Sequence, residues 1–101
     1  MRFGRAALLL LAACSSVHDD FERFCHAHEN AGVLESDQPG DRAVKISRYL
    51  STALKTKEAK DVLEGLPKLE RSQKHQALTD AAAKYGVKPC PLADATWPDG
   101  G

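Results

Sequence analysis

The chain has 101 residues, of which 43% are hydrophobic and 28% are charged, so it forms at most one domain of ordinary size. Its 14 basic and 14 acidic side chains balance, which excludes the basic excess that a nucleic-acid-binding surface needs. An aromatic content of 6% and only 7 glycines argue against a β-sandwich, a β-barrel or a nucleotide-binding fold.

Residues 1–13 have the pattern of a secretory signal peptide. Arg2 and Arg5 form a short basic start, and an apolar run follows over 6–13. As a helix this run would span about 12 Å, far less than the ~30 Å hydrocarbon core of a bilayer. We therefore expect residues 1–13 to be removed after export and not to remain as a transmembrane helix.

The apolar run ends in Leu11-Ala12-Ala13-Cys14, an aliphatic residue and two small ones before a cysteine. This tetrapeptide resembles the lipobox of bacterial lipoproteins. The resemblance implies a diacylglycerol thioether on Cys14, cleavage between Ala13 and Cys14, and N-acylation of the new terminus. Ser15 stands where inner-membrane retention signals have Asp, which implies transport to the outer membrane in a Gram-negative cell. The alternative is an ordinary secretory signal with a chance cysteine.

Beyond residue 14, apolar side chains recur at spacings of three and four, which indicates α-helices. One face of a first helix carries Phe21, Phe24, Cys25 and His28, and Gly32 is expected to end this helix. Acidic side chains near its start suit the positive end of the helix dipole.

Three further helices are predicted. A turn over 36–41 precedes the second, and Gly65 and Pro67 interrupt the third. The fourth and longest covers 68–85, and Gly86 provides a left-handed cap. The side chains predicted to face the core are Ala43, Ile46, Leu50, Ala53 and Leu54 in the second helix, Ala59, Val62, Leu63 and Leu66 in the third, and Leu69, Ala77, Leu78, Ala81, Ala82 and Tyr85 in the fourth.

The predicted fold class is all-α, with about four short helices in a compact bundle over residues 19–92. Residues 14–18 are the expected lipidated cysteine and tether, and 93–101 the expected C-terminal tail. In so small a bundle we expect little room for a pocket of several hundred Å³.

Cys25 and Cys90 are the two cysteines that remain if Cys14 carries lipid. Export places both in an oxidising compartment, where a disulfide between them would persist. Closing a loop of this length stabilises a fold by about 4 kcal/mol in the chain-entropy model. We predict this disulfide, and the alternatives are two free buried thiols or a metal site.

A second resemblance concerns the mature part. Residues 86–93 have the sequence Gly-Val-Lys-Pro-Cys-Pro-Leu-Ala, and residues 24–25 are Phe-Cys. Both features are similar to those of small helical bacterial lipoproteins of unknown function. The resemblance implies a shared scaffold with the same two cysteines, and it implies no activity.

Metal binding and catalysis find little support in the sequence. His18, Cys25 and His28 share a helix face, while His26 points about 100° away from Cys25. No Cys-x-x-Cys, His-x-x-x-His or Gly-x-Ser-x-Gly occurs, and no glycine-rich phosphate loop does. We therefore predict no metal site, no cofactor and no catalytic residues, and expect that the protein is not an enzyme.

The charges divide along the chain, with mostly acidic residues over 15–41 and mostly basic ones over 42–88. We expect an acidic first helix packed beside basic later ones, and the alternative is a basic face for an anionic polymer or head group. The leading hypothesis is a non-catalytic interaction or envelope-structural module. It would be held on the membrane by the lipid on Cys14 and would bind another envelope protein. The alternative function is binding of a metal or small ligand through His18 and His28.

Overall fold

In a computed structural model, which describes residues 16–98, the apolar stripes form α-helices, and this part of the chain contains no β-strand. The helices are α1 over 16–25, α2 Ala27–Asn30, α3 Pro39–Ala53, α4 Lys57–Gly65 with a 3₁₀ turn at Leu66–Lys68, α5 Arg71–Lys84 and α6 Pro91–Thr96. The predicted all-α fold with about four helices is confirmed, since α1, α3, α4 and α5 each exceed two turns. None of the described helices has both the length and the apolar composition needed to cross a bilayer.

Local chemistry explains the helix ends. Pro39 occupies the first turn of α3, and the hydroxyl of Thr56 accepts a hydrogen bond from Ala59 N at 3.4 Å at the start of α4. Glu70 and Gln73 form a capping box that starts α5 at residue 71. The predicted fourth helix corresponds to α5. It is shorter than the predicted range of 68–85, and with 14 residues it is not the longest helix, since α3 has 15.

Both ends of the domain extend further than the sequence predicts. Residues 16–18, assigned to the tether, are helical and belong to α1, and Val17 is buried in the core. The expected tail begins with the fully buried Ala93 and contains most of α6. The predicted signal peptide and the cleavage site between Ala13 and Cys14 lie outside the described residues.

The core forms around two phenylalanines of α1. The Phe21 ring stacks on Tyr85 with the centroids 5.3 Å apart, and it lies 6.1 Å from the ring of Phe24. The other buried apolar side chains are Val17, Cys25, Ala27, Leu50, Leu54, Ala59, Leu66, Leu78, Ala82, Val87, Cys90, Leu92 and Ala93. Each predicted stripe thus contributes to one core, and the first stripe is the most completely buried.

The predicted disulfide between Cys25 and Cys90 is confirmed, and the two Cα atoms lie 4.7 Å apart. It joins the end of α1 to the residue before α6, 65 positions later. Both cysteines are buried, so the bridge is part of the core. The alternatives of free thiols and of a metal bound by Cys25 are wrong.

The end of α5 depends on a left-handed glycine. Gly86 has a φ of +83°, and its N–H donates to Ala83 O at 3.0 Å. The N–H of Val87 donates to Ala82 O at 2.9 Å, which completes a Schellman motif and turns Val87 into the core. The predicted cap at Gly86 is therefore present.

We expect Gly86→Ala to lower the free energy of unfolding by about 1–2 kcal/mol, because an L-residue is strained in the left-handed conformation. The matched control is Gly65→Ala, since Gly65 has helical φ and ψ of −79° and −29° and a Cβ added there would meet no neighbouring atom within 4 Å. That control is expected to raise the free energy of unfolding by about 0.5–1 kcal/mol. Urea denaturation measures both values, and changes of the same sign would contradict the prediction.

Candidate functional site

A buried carboxylate connects α1 to the segment between α3 and α4. Asp20 Oδ2 accepts hydrogen bonds from Lys55 N at 2.8 Å and from the N–H and hydroxyl of Thr56, both at 2.7 Å. Arg23 donates to the other carboxylate oxygen at 3.1 Å. The Asp20 side chain is fully buried. These bonds give Asp20 a structural role in holding two distant segments together.

The electrostatics of Asp20 favour its charged form. Burial raises the pKa of its carboxyl, but the hydrogen bonds from Thr56 and Lys55 and the charge of Arg23 outweigh this effect, so the net pKa is lowered. Sequence reasoning assigned the acidic residues of this helix to its dipole and missed the burial. The available signal was that Asp20 precedes Phe24 by four positions and therefore lies beside the apolar face.

His18, one of the two histidines of the alternative function, has contacts on both ring nitrogens. Its Nδ1 donates to the carbonyl oxygen of Tyr85 at 2.7 Å, because that oxygen can only accept. Its Nε2 lies 3.4 Å from a carboxylate oxygen of Glu22. Glu22 also approaches His26 Nε2 at 3.6 Å. His18 thus connects α1 to the end of α5.

His28 has different surroundings. It is half-buried, its Nδ1 has no hydrogen-bond partner, and its side chain lines an open cavity beside α3 that His18 does not reach. Within residues 16–98, no three His, Cys, Asp or Glu side chains converge as a metal site would require. The structure therefore does not place His18 and His28 around one ligand.

Two adjoining cavities form an apolar groove between α3 and α6. Their volumes are about 260 and 240 Å³, and Ala43, Ile46, Leu92 and Thr96 line both of them. We call the two cavities together the α3–α6 groove. Neither cavity reaches several hundred Å³, so they do not contradict the expectation of little room for a pocket of that size.

The two helices that flank the groove have different principal neighbours. α3 contacts α2, whereas α6 contacts α5, where His75 Nε2 lies 2.8 Å from Asp94 Oδ1. The predicted stripe of α3 is buried at Leu50, but Ile46 is only half-buried and Ala43 is exposed. One end of the predicted core stripe is therefore a groove wall.

The side chains that can carry charge in the lining of the groove are all basic. Arg42 and His28 lie at one end and Lys74 at the other, and no acidic side chain lines either cavity. Arg42 already donates to the carbonyl oxygens of Asp37 at 3.0 Å and Glu35 at 2.5 Å. Lys74 has no hydrogen bond or ion pair within the described part of the chain. Lys74 is therefore the cation available to a ligand.

Comparison with known proteins does not assign the chain to a family. No protein-family model matches it, and no curated protein or solved structure matches it either. Its function is therefore inferred from its own residues.

Proposed function

We propose that this protein is an exported lipoprotein, held at a membrane surface by acyl chains on Cys14, whose helical domain is a non-catalytic interaction or envelope-structural module. The observation that carries the proposal is the Leu11–Cys14 tetrapeptide directly before a disulfide-bonded domain. A lipobox directs a protein out of the cytoplasm, and a buried disulfide such as Cys25–Cys90 persists in the oxidising compartments beyond it. Two independent features thus favour the same location.

The sequence leaves little distance between anchor and domain. α1 is already helical at residue 16, and only Ser15 separates that residue from Cys14. Two residue steps span at most about 7 Å. Two or more acyl chains hold a protein stably on a bilayer, so the domain would lie against the membrane.

With Ser15 after the modified cysteine, the outer membrane is the proposed location in a Gram-negative cell.

Anchoring is tested by comparing the native protein with Cys14→Ser in its own host. We expect the native protein in the membrane fraction, with residues 1–13 absent, an acyl mass on Cys14 and the mass deficit of one disulfide. Cys14→Ser should keep its leader and carry no lipid. Intact-protein mass spectrometry of the native protein and of Cys14→Ser measures the leader, the acyl mass and the disulfide. A native protein that retains Met1 and an unmodified Cys14 would overturn the proposal.

The proposed partner is another envelope protein. Crosslinking in cells tests this, with the native protein and with Cys14→Ser. A photo-crosslinking residue at Val44, which is 49% exposed on α3, should give one discrete adduct with an envelope protein in cells. The matched control is the same residue at the exposed Lys60 on α4. The adduct should disappear when Cys14→Ser is combined with the crosslinker. Equal adducts from both positions, or none from Val44, would argue against a specific partner.

A further inference from the structure

We propose that the α3–α6 groove binds one acyl chain with an anionic head group, a ligand of the fatty-acid class. This binding site goes beyond the proposed membrane anchor. It does not depend on lipid at Cys14, because every residue that forms it lies in the described domain. The two proposals can therefore fail separately.

The shape and lining of the groove suit a linear hydrocarbon. Its α3 wall runs from Pro39 to Leu50, which corresponds to about 17 Å of helix. Aliphatic side chains dominate the walls, including Ile46, Leu63 and Leu92. Each cavity is smaller than the pockets that hold drug-sized ligands, and the two share Ala43, Ile46, Leu92 and Thr96 in their lining. Two small apolar spaces that follow one another along α3 suit a linear chain better than a compact ligand.

The polar groups of the groove favour an acyl chain over an extended peptide. A peptide carries an N–H and a C=O on nearly every residue, and each needs a partner when it is buried. Along the middle of α3 the backbone groups are already bonded within the helix, so this wall offers a peptide few partners. Ser47 and Thr96 are the hydroxyl-bearing side chains of the lining. A hydrocarbon chain needs no such partners.

The charges of the lining determine the sign and position of the head group. Arg42 and Lys74 are the charged side chains of the lining, which contains no carboxylate. Because Arg42 is bonded to backbone carbonyls, the half-buried Lys74 is the free counter-ion. The carboxylate of a bound fatty acid would therefore lie beside Lys74, with its chain running towards His28.

Binding can be measured with a reporter already present in the protein. Trp97 is the only tryptophan of the chain, and it lines the same cavity as Lys74. Titration of the full-length protein with dodecanoate, kept below its micelle concentration, should give a saturable change in Trp97 fluorescence at one ligand per chain. Dodecyltrimethylammonium, which has the same chain and the opposite charge, should bind more weakly.

Two variants separate the head-group contact from the chain contact. Lys74→Gln should weaken dodecanoate binding roughly fivefold, the usual size of one partly exposed charge pair, and leave dodecanol binding unchanged. Lys60→Gln removes an exposed lysine outside the groove and should change neither. Ala43→Phe places a ring in the groove from an exposed helix position and should abolish binding of all three ligands. Circular dichroism checks that each variant is folded.

Several results would overturn the proposal. The first is the absence of a saturable response to dodecanoate. The second is that dodecyltrimethylammonium binds as tightly as dodecanoate. The third is that a folded Lys74→Gln binds dodecanoate with unchanged affinity. Sedimentation equilibrium tests whether a second copy covers the groove. A dimer that dodecanoate does not dissociate and that Ala43→Phe disrupts would assign the groove to self-association. Saturable binding of an amphipathic helical peptide in the absence of dodecanoate binding would assign it to a protein partner.

Discussion

Replacing both bridged cysteines, in Cys25→Ala/Cys90→Ala, is expected to lower the free energy of unfolding by about 4 kcal/mol. The disulfide joins residues that are 65 positions apart. In the chain-entropy model a cross-link acts mainly on the unfolded state, whose conformational freedom falls as the closed loop becomes longer. Nearly all of the described domain between α1 and α6 lies inside this loop, so its unfolded chain is strongly restricted.

The expected loss is large relative to the stability of a domain this small. Single domains have 5–15 kcal/mol of stability in general, and small domains with one hydrophobic core are often near the lower end. Cys25 and Cys90 are also buried, so the alanines remove a little packing in addition to the bond. We therefore expect the double variant to be partly unfolded at the temperature at which the oxidised protein is fully folded.

Urea denaturation of three samples distinguishes the bond from the packing. The samples are the oxidised protein, the same protein reduced with dithiothreitol, and Cys25→Ala/Cys90→Ala. The reduced protein and the variant should have similar midpoints, both well below that of the oxidised protein. A midpoint shift equivalent to less than about 0.5 kcal/mol, the range of neutral surface changes, would contradict the prediction.

Much of the fold is encoded in local patterns, which is why the sequence predicts it. The spacing of Phe21, Phe24 and Cys25 defines one helix face, and all three side chains are buried. Pro39 and Gly86 mark a helix start and a helix end through backbone constraints of their own. The disulfide follows from the number of cysteines and from the expected compartment. These inferences need no knowledge of how the helices pack together.

The sequence could not predict the features that depend on long-range packing. The donors that Asp20 binds, Lys55 and Thr56, are about 35 positions away, and no local pattern connects them to it. The apolar residues of α3 gave no sign of which would be covered, so Ala43 and Ile46 were expected in the core. In the structure they line the groove, while α6 packs mainly on α5. Helix periodicity identifies a face but not its neighbour.

Removal of the buried carboxylate, in Asp20→Ala, is expected to lower the free energy of unfolding by about 2–4 kcal/mol. The substitution leaves the N–H groups of Lys55 and Thr56 and the Thr56 hydroxyl without their acceptor. Asp20→Asn keeps the shape and loses the charge, so a loss of about 2 kcal/mol is expected. The exposed Asp19 provides the matched control, and Asp19→Asn should change stability by less than about 0.5 kcal/mol.

The contribution of Asp20 should also depend on pH, with a sign that follows from its lowered pKa. The unfolded carboxyl has the ordinary value of 3.8 and takes up a proton before the folded one does. The stabilisation is therefore complete above that value and is lost as the pH falls through the lower pKa of the folded state. Asp37, whose pKa the Leu34 N–H and Lys45 lower, adds a dependence of the same sign.

A comparison of the native protein with Asp20→Asn isolates this dependence, because Asp37 is present in both proteins and cancels in the difference. Urea denaturation from about pH 7 to about pH 2 gives the difference in the free energy of unfolding at each pH. The difference should be constant at neutral pH and should shrink below the ordinary carboxyl pKa of 3.8. A difference that stays constant to the lowest pH, or that grows on acidification, would show that Asp20 does not hold α1 to the start of α4 through its charged form.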